Sequence, residues 1–148
     1  MAVDLSDFRE HKTLLTQAYP EWEKLSRPFQ RIGLFLFFFS LFGLLPDHVL
    51  SNSIFGSLSQ TKHFMGLLFG LALFIVASSG CVEAILTMKI NKTREANNQP
   101  AFEYIKAKVP PYITLTTDYA HARKRCKRQF LSGVIIALLG LFIIWINI

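Results

Sequence analysis

A chain of 148 residues that is 51% hydrophobic and 18% charged, with a mean hydropathy of +0.34, carries more apolar sequence than one small soluble core can hide. Its net charge of +6 and pI near 9.6 would suit a nucleic-acid binder, but the cations gather beside apolar runs and no aromatic-lined basic domain accompanies them, so no nucleic acid is expected. Two cysteines, Cys81 and Cys126, exclude a disulfide framework and match no metal-ligand spacing, so neither metal nor cofactor is expected.

The opening Met-Ala-Val-Asp-Leu-Ser-Asp lacks the apolar core of a cleavable signal, so the first membrane segment is expected to direct insertion itself. Residues 4–27 read as an amphipathic helix at the cytoplasmic face or the membrane interface. Asp4 or Ser6 can cap it, and Leu5, Phe8, Leu15, Tyr19, Trp22 and Leu25 recur at helical spacing. Pro20 should kink or split this element after Tyr19. Two roles are open for Phe8, Leu15, Tyr19 and Trp22. They can anchor in the headgroup layer, or dock on the cytoplasmic part of a partner or of the protein itself.

The first transmembrane helix is expected at 29–50, with its apolar heart at Ile32–Leu45. Those 14 residues rise about 21 Å, short of a hydrocarbon core of about 30 Å, so Arg31 and Asp47-His48 would snorkel at its ends. Phe29, Phe35, Phe37, Phe38, Phe39 and Phe42 surround it on most faces, which suits lipid or a complex interface better than a pore lining. Pro46 should end it, ahead of a polar loop with an interfacial turn at 49–58.

The second transmembrane helix is expected at 64–88. Gly66, Gly70, Ala77, Cys81 and Ala84 fall on one stripe, and small residues let another helix approach closely. The Gly66–Gly70 pair suits packing on helix one or three, or homodimerisation. Glu83 is the acid inside this segment. An intramembrane carboxylate suggests a proton or cation relay. It nevertheless lies five residues before Met88, about 7–8 Å by helix rise, so a structural pairing with Arg125 or Arg128 is the favoured reading.

Residues 89–129 form a basic and largely helical cytoplasmic loop by expectation. Ala101–Val109 can make two helical turns before Pro110-Pro111 stop them, and 112–117 is extended in character. Asn91-Lys92-Thr93 matches a glycosylation sequon but falls on the expected inside. Thr116, Thr117 or Asp118 can cap the next helix, which no Pro interrupts from Asp118 onward. A rod of about thirty residues would then end in the third transmembrane helix, 131–148, whose Ser132, Gly133, Ala137 and Gly140 could pack on Gly66, Gly70 and Ala77. Arg123, Lys124, Arg125, Lys127 and Arg128 should hold its front end inside and touch anionic lipid, with Cys126 among them a candidate for lipidation.

Lys and Arg number five in the N-terminal segment (Arg9, Lys12, Lys24, Arg27, Arg31), one in the 47–63 loop (Lys62) and ten in 89–129. The positive-inside rule then gives three spans, N-terminus in and C-terminus out. The expected fold is an all-α polytopic membrane protein with three transmembrane helices, an N-terminal amphipathic helix and a helical cytoplasmic loop. The expected location is a bacterial cytoplasmic (inner) membrane, since no organelle presequence is present.

Function follows only in outline. No Walker loop, GxSxG, HExxH, CxxC or dinucleotide fingerprint occurs, so no catalytic residue is assigned. His11, His48, His63 and His121 are scattered, and a site joining Asp47, His48 and His63 has no supporting pattern. The leading expectation is a non-enzymatic accessory or scaffold subunit of a larger membrane complex, such as a transport or secretion assembly. Its partners would be larger integral membrane proteins and anionic lipids. The alternatives are a small homo-oligomeric pore of the holin type, and an enzyme acting on lipid through Glu83, Asp118 and His121.

Overall fold

In a computed structural model of the protein, residues 5–43, 61–105 and 113–148 are described. They are mostly helical, 85%, and the remainder includes one small sheet. The elements run α1 (Ser6–Ala18), α2 (Pro20–Gly43), α3 (Thr61–Ala96), β1 (Ala101–Tyr104), β2 (Ile113–Thr116) and α4 (Tyr119–Asn147).

The break between α1 and α2 comes where Pro20 places it. Tyr19 leaves the helical region (φ −137°, ψ 65°) while its N–H still closes on the Leu15 carbonyl at 2.9 Å, and Pro20 starts α2 with its φ preset and no donor wasted. From there the boundaries differ from expectation. Residues 20–27 continue into the Phe-rich helix instead of closing the 4–27 element, and Pro28 lies inside α2. Pro28 deprives the Lys24 carbonyl of its helical donor. The expected ending at Pro46, and the turn at 49–58, lie outside the described residues. The helix that contains the expected 64–88 span runs from Thr61 to Ala96.

The second correction concerns 101–109. Instead of two helical turns, Ala101–Tyr104 pairs antiparallel with Ile113–Thr116, Phe102 facing Leu115 and Tyr104 facing Ile113. The fold is therefore not wholly α-helical. Phe102 and Tyr104 share one face of the strand and are buried, as is Ala101 on the other face, while Glu103 is half-buried. The Pro110-Pro111 pair and the rest of 106–112 lie outside the described residues.

The chain separates into two compact units. The polar unit comprises Met1–Ser26 and Gly80–Gly133, and the apolar unit Arg27–Ser79 and Val134–Ile148. In the apolar unit α2 lies on α3 with Gly33 against Ile75 and Val76, while the rings of Phe37 and Phe69 stack 5.4 Å apart. α3 and α4 run antiparallel and touch through backbone. A Cβ on Gly70 would sit 2.7 Å from the Gly140 carbonyl oxygen, and a Cβ on Gly140 would sit 2.7 Å from that of Gly70. Two helices, Lys62–Ala96 and Tyr119–Asn147, are long and apolar enough to cross a membrane. The described part of α2 has an apolar run only from Ile32 to Gly43, about 18 Å of rise.

In the polar unit Phe102, Tyr104, Ile113 and Cys126 form the core, with Phe8, Leu14, Met88, Ile90 and Leu115 packed around them. α1 brings in Leu15 and His11, both wholly buried. Phe8, for which a lipid interface, a partner or the protein itself was open, packs on this core, and Leu15 is buried. Tyr19 and Trp22 are half-buried.

Candidate functional site

The polar unit is assembled by side chains that complete the hairpin's two open edges. Phe102 and Leu115 face one another, and both direct their N–H groups outward. On the β1 side Asn91, from α3, accepts from the Phe102 N–H through Oδ1 and donates through Nδ2 to the Phe102 carbonyl, both at 2.8 Å. One amide does the work of a third strand. On the β2 side the Asp7 carboxylate accepts from the Leu115 N–H at 3.0 Å and from the Thr114 hydroxyl at 3.2 Å. A two-stranded hairpin alone is marginal in water, and these helix-borne groups make it a fixed part of the unit. Asn91, read in the sequence as the sequon's asparagine, is thereby fully engaged.

A buried polar chain joins α1, α3 and β1. His11 Nε2 is 2.9 Å from the Thr87 hydroxyl, which lies 3.0 Å from the Tyr104 hydroxyl and also donates to the Glu83 carbonyl at 2.8 Å. The His11 ring meets Phe102 edge-on, 5.0 Å between centroids. Burial, reinforced by the neighbouring Lys12 charge, lowers the His11 pKa to about 4, so the imidazole is neutral at physiological pH. Burial likewise raises the Tyr104 hydroxyl, which stays protonated.

Glu83 pairs with Lys12, not with Arg125 or Arg128. The Lys12 ammonium donates to both carboxylate oxygens at 3.1 Å. The correction has a simple cause: α1 folds back onto α3 at this level, where Arg94 also reaches Glu10 at 2.9 Å. Arg125 instead lies 3.4 Å from Glu103, which also receives His121 Nδ1 at 2.8 Å. Asp118 caps α4, its Oδ1 accepting from the His121 N–H at 2.9 Å. Glu83, Asp118 and His121 are thus engaged separately and do not converge.

Between the polar stretches of α3 and α4 lies an open cleft of about 580 Å³. Met88 and Ala101 are among its apolar lining, and Lys92, Arg123, Lys127 and Glu95 give it charge. Arg123 donates to Glu95 at 3.0 Å, and Tyr119 at the far end donates to the Gln99 carbonyl at 3.0 Å. Among the described residues neither Lys92 nor Lys127 has an ion-pair partner, so the cleft carries an excess of positive charge. Of the basic run, Arg123 and Lys127 line the cleft, while Lys124 and Arg128 are exposed elsewhere.

Cys126 is wholly buried, and its thiol is pushed up to about 12 by burial and by Glu103. Such a thiol is a poor nucleophile, which speaks against its lipidation. Of the small residues, Gly66 faces Asn147 and Gly70 faces Gly140 within this chain, so the GxxxG face is occupied internally. Ala77, Ala84 and Gly133 are buried, Ala137 is half-buried, and the Cys81 thiol lies 3.5 Å from the Phe130 carbonyl. Asp47 and His48 lie outside the described residues, and His63 is exposed. Asn91, Asp7 and Thr87 carried no sequence signal for their roles, because each partner is distant along the chain. No protein-family model, curated protein or solved structure matches the chain.

Proposed function

We propose that the protein is a non-enzymatic accessory or scaffold subunit of a larger membrane complex, with three spans, its N-terminus inside and its C-terminus outside. The observation that carries this reading is the length of α3. Its 36 residues rise about 54 Å, well beyond a hydrocarbon core of about 30 Å. The excess is built into a folded unit with completed sheet edges and a charged cleft. Structure invested there suits contact with another component.

A membrane setting is supported by exposure. Only 33% of the most apolar stretch of α3 and 11% of that of α4 are buried, whereas a soluble core helix hides most of its apolar surface. The cations at 89–94 and 123–128 favour the inside for the polar unit, against Lys62 at the other end. A bacterial cytoplasmic membrane fits this reading. Phe35, Phe38 and Phe42 on α2, and Leu138, Phe142 and Trp145 on α4, offer faces for lipid or for a larger integral partner.

Affinity purification of the full chain from native membranes in mild detergent tests the proposal. The expected result is stoichiometric recovery of a larger integral membrane protein. That recovery should drop in an Asn91→Ala variant, which loosens the polar unit. Recovery of a lone species, or of a homo-oligomer that makes vesicles leak, would overturn it in favour of the pore reading.

A further inference from the structure

Within the polar unit α1 is an outer layer. The buried centre of the hairpin core, Phe102, Tyr104, Ile113 and Cys126, comes from β1, β2 and α4, and Asn91 of α3 closes the β1 edge without help from α1. Phe8 and Leu14 of α1 pack on the outside of that core. Its other ties are the Lys12–Glu83 and Glu10–Arg94 ion pairs and the Asp7 carboxylate on the Leu115 N–H. At its end Tyr19 leaves the helical region and Pro20 begins a new helix, which makes that joint a hinge.

His11 is the wholly buried polar residue of α1. The Thr87 hydroxyl has one hydrogen, which goes to the Glu83 carbonyl at 2.8 Å. Its lone pairs face the Tyr104 hydroxyl at 3.0 Å and His11 Nε2 at 2.9 Å. His11 therefore donates through Nε2, and Nδ1 is the nitrogen left to take up a proton. Nδ1 is buried and, among the described residues, has no hydrogen-bond partner. The charges around it do not welcome a cation. Lys12 is the next residue of α1, and on α3 Glu83 is already held by Lys12 while Arg94 lies 4.6 Å from the centroid of the Phe102 ring that His11 meets edge-on. Tyr104 of β1 and Cys126 of α4 stay protonated, Glu103 lies on the other face of β1 with His121 and Arg125, and Ile113–Thr116 of β2 has no titratable side chain. A proton on Nδ1 is thus a buried charge without an acceptor, which the docked helix disfavours. We propose that α1 is a strap hinged at Tyr19 and latched by neutral His11, and that protonation at Nδ1 releases it from α3 and the hairpin and uncovers the outer edge of β2.

Once released, His11 takes up a proton near 6.5, whereas the docked residue resists until about 4. The released state binds more protons, so acid favours it, and the released fraction grows about 20-fold between pH 7 and pH 5. Hydrogen exchange of the full chain in mild detergent, expressed as protection factors corrected for intrinsic exchange, tests the strap. The α1 amides should lose protection by about 20-fold over that range, while β1, β2 and the Asn91 region of α3 keep theirs. His11→Gln retains a donor for Thr87 but has no nitrogen that titrates, and its α1 protection should change less than about two-fold with pH. An unchanged α1 in the wild-type chain would overturn the proposal, and so would equal loss in α1 and the hairpin, which is global unfolding. A fall that persists in His11→Gln would overturn it in favour of the carboxylates Asp7, Glu10 and Glu83. If the Gln variant docks too weakly to read, side-chain nitrogen NMR of the wild-type chain decides. It should show His11 protonated at Nε2 alone at pH 7, with uptake at Nδ1 tracking the loss of α1 protection. A proton on Nδ1 at pH 7, or uptake with α1 still protected, would overturn the latch.

Discussion

Asn91 and His11 show how single polar side chains hold the polar unit together. Asn91→Ala leaves the Phe102 N–H and carbonyl without partners in a buried setting, a cost of about 1–3 kcal/mol. A lower melting temperature of the detergent-solubilised protein is the expected readout, with Asn91→Asp also destabilising because a carboxylate cannot donate to the carbonyl. His11 makes stability depend on pH. The unfolded chain takes up a proton near 6.5, whereas the folded one resists until about 4. Between those values the unfolded state binds more protons, so stability falls as pH drops from about 6.5 toward 4, by about 3 kcal/mol in all. Melting followed over that range should show this slope, and His11→Gln should flatten it. An unchanged slope in the variant would assign the pH dependence to other groups.

At the scale of elements, the close approach of α3 and α4 sets a sharp contrast between glycines. Any Cβ at Gly70 or Gly140 meets backbone 2.7 Å away, so Gly140→Ala must push the helices apart, at a cost of about 1–3 kcal/mol. Nothing lies within 4 Å of a Cβ at Gly80, and Gly80→Ala should be neutral or slightly stabilising through helix propensity. Thermal melting of the two variants in one detergent separates packing from propensity. The small-residue stripe was legible in the sequence because close helix contact needs small side chains. The hairpin was not, because four-residue strands carry little periodicity and their stability comes from Asn91 and Asp7, both remote along the chain.

At the scale of the whole molecule, orientation is the property on which the proposed function depends. Cys126 is unsuited to report it, since its thiol is buried and pushed up to about 12. Lys124 is exposed on the same helix. In a background with both native cysteines replaced, Lys124→Cys should react with an impermeant maleimide only after cells are opened. Labelling of intact cells would reverse the topology and place the basic residues outside.

The sequence by itself determined what depends on composition and on near neighbours. Apolar runs of bilayer length, the split at Pro20, the long helix that starts near Thr116–Asp118 and the gathering of cations beside apolar segments all follow from residues within a few turns of one another. Tertiary structure decided the rest. Glu83 takes Lys12 instead of an arginine of α4, Phe8 packs on a core shared with the hairpin, and Arg94 takes Glu10. Each of these pairs lies tens of residues apart, and in each the choice among several chemically suitable partners is made by which segment folds back onto α3.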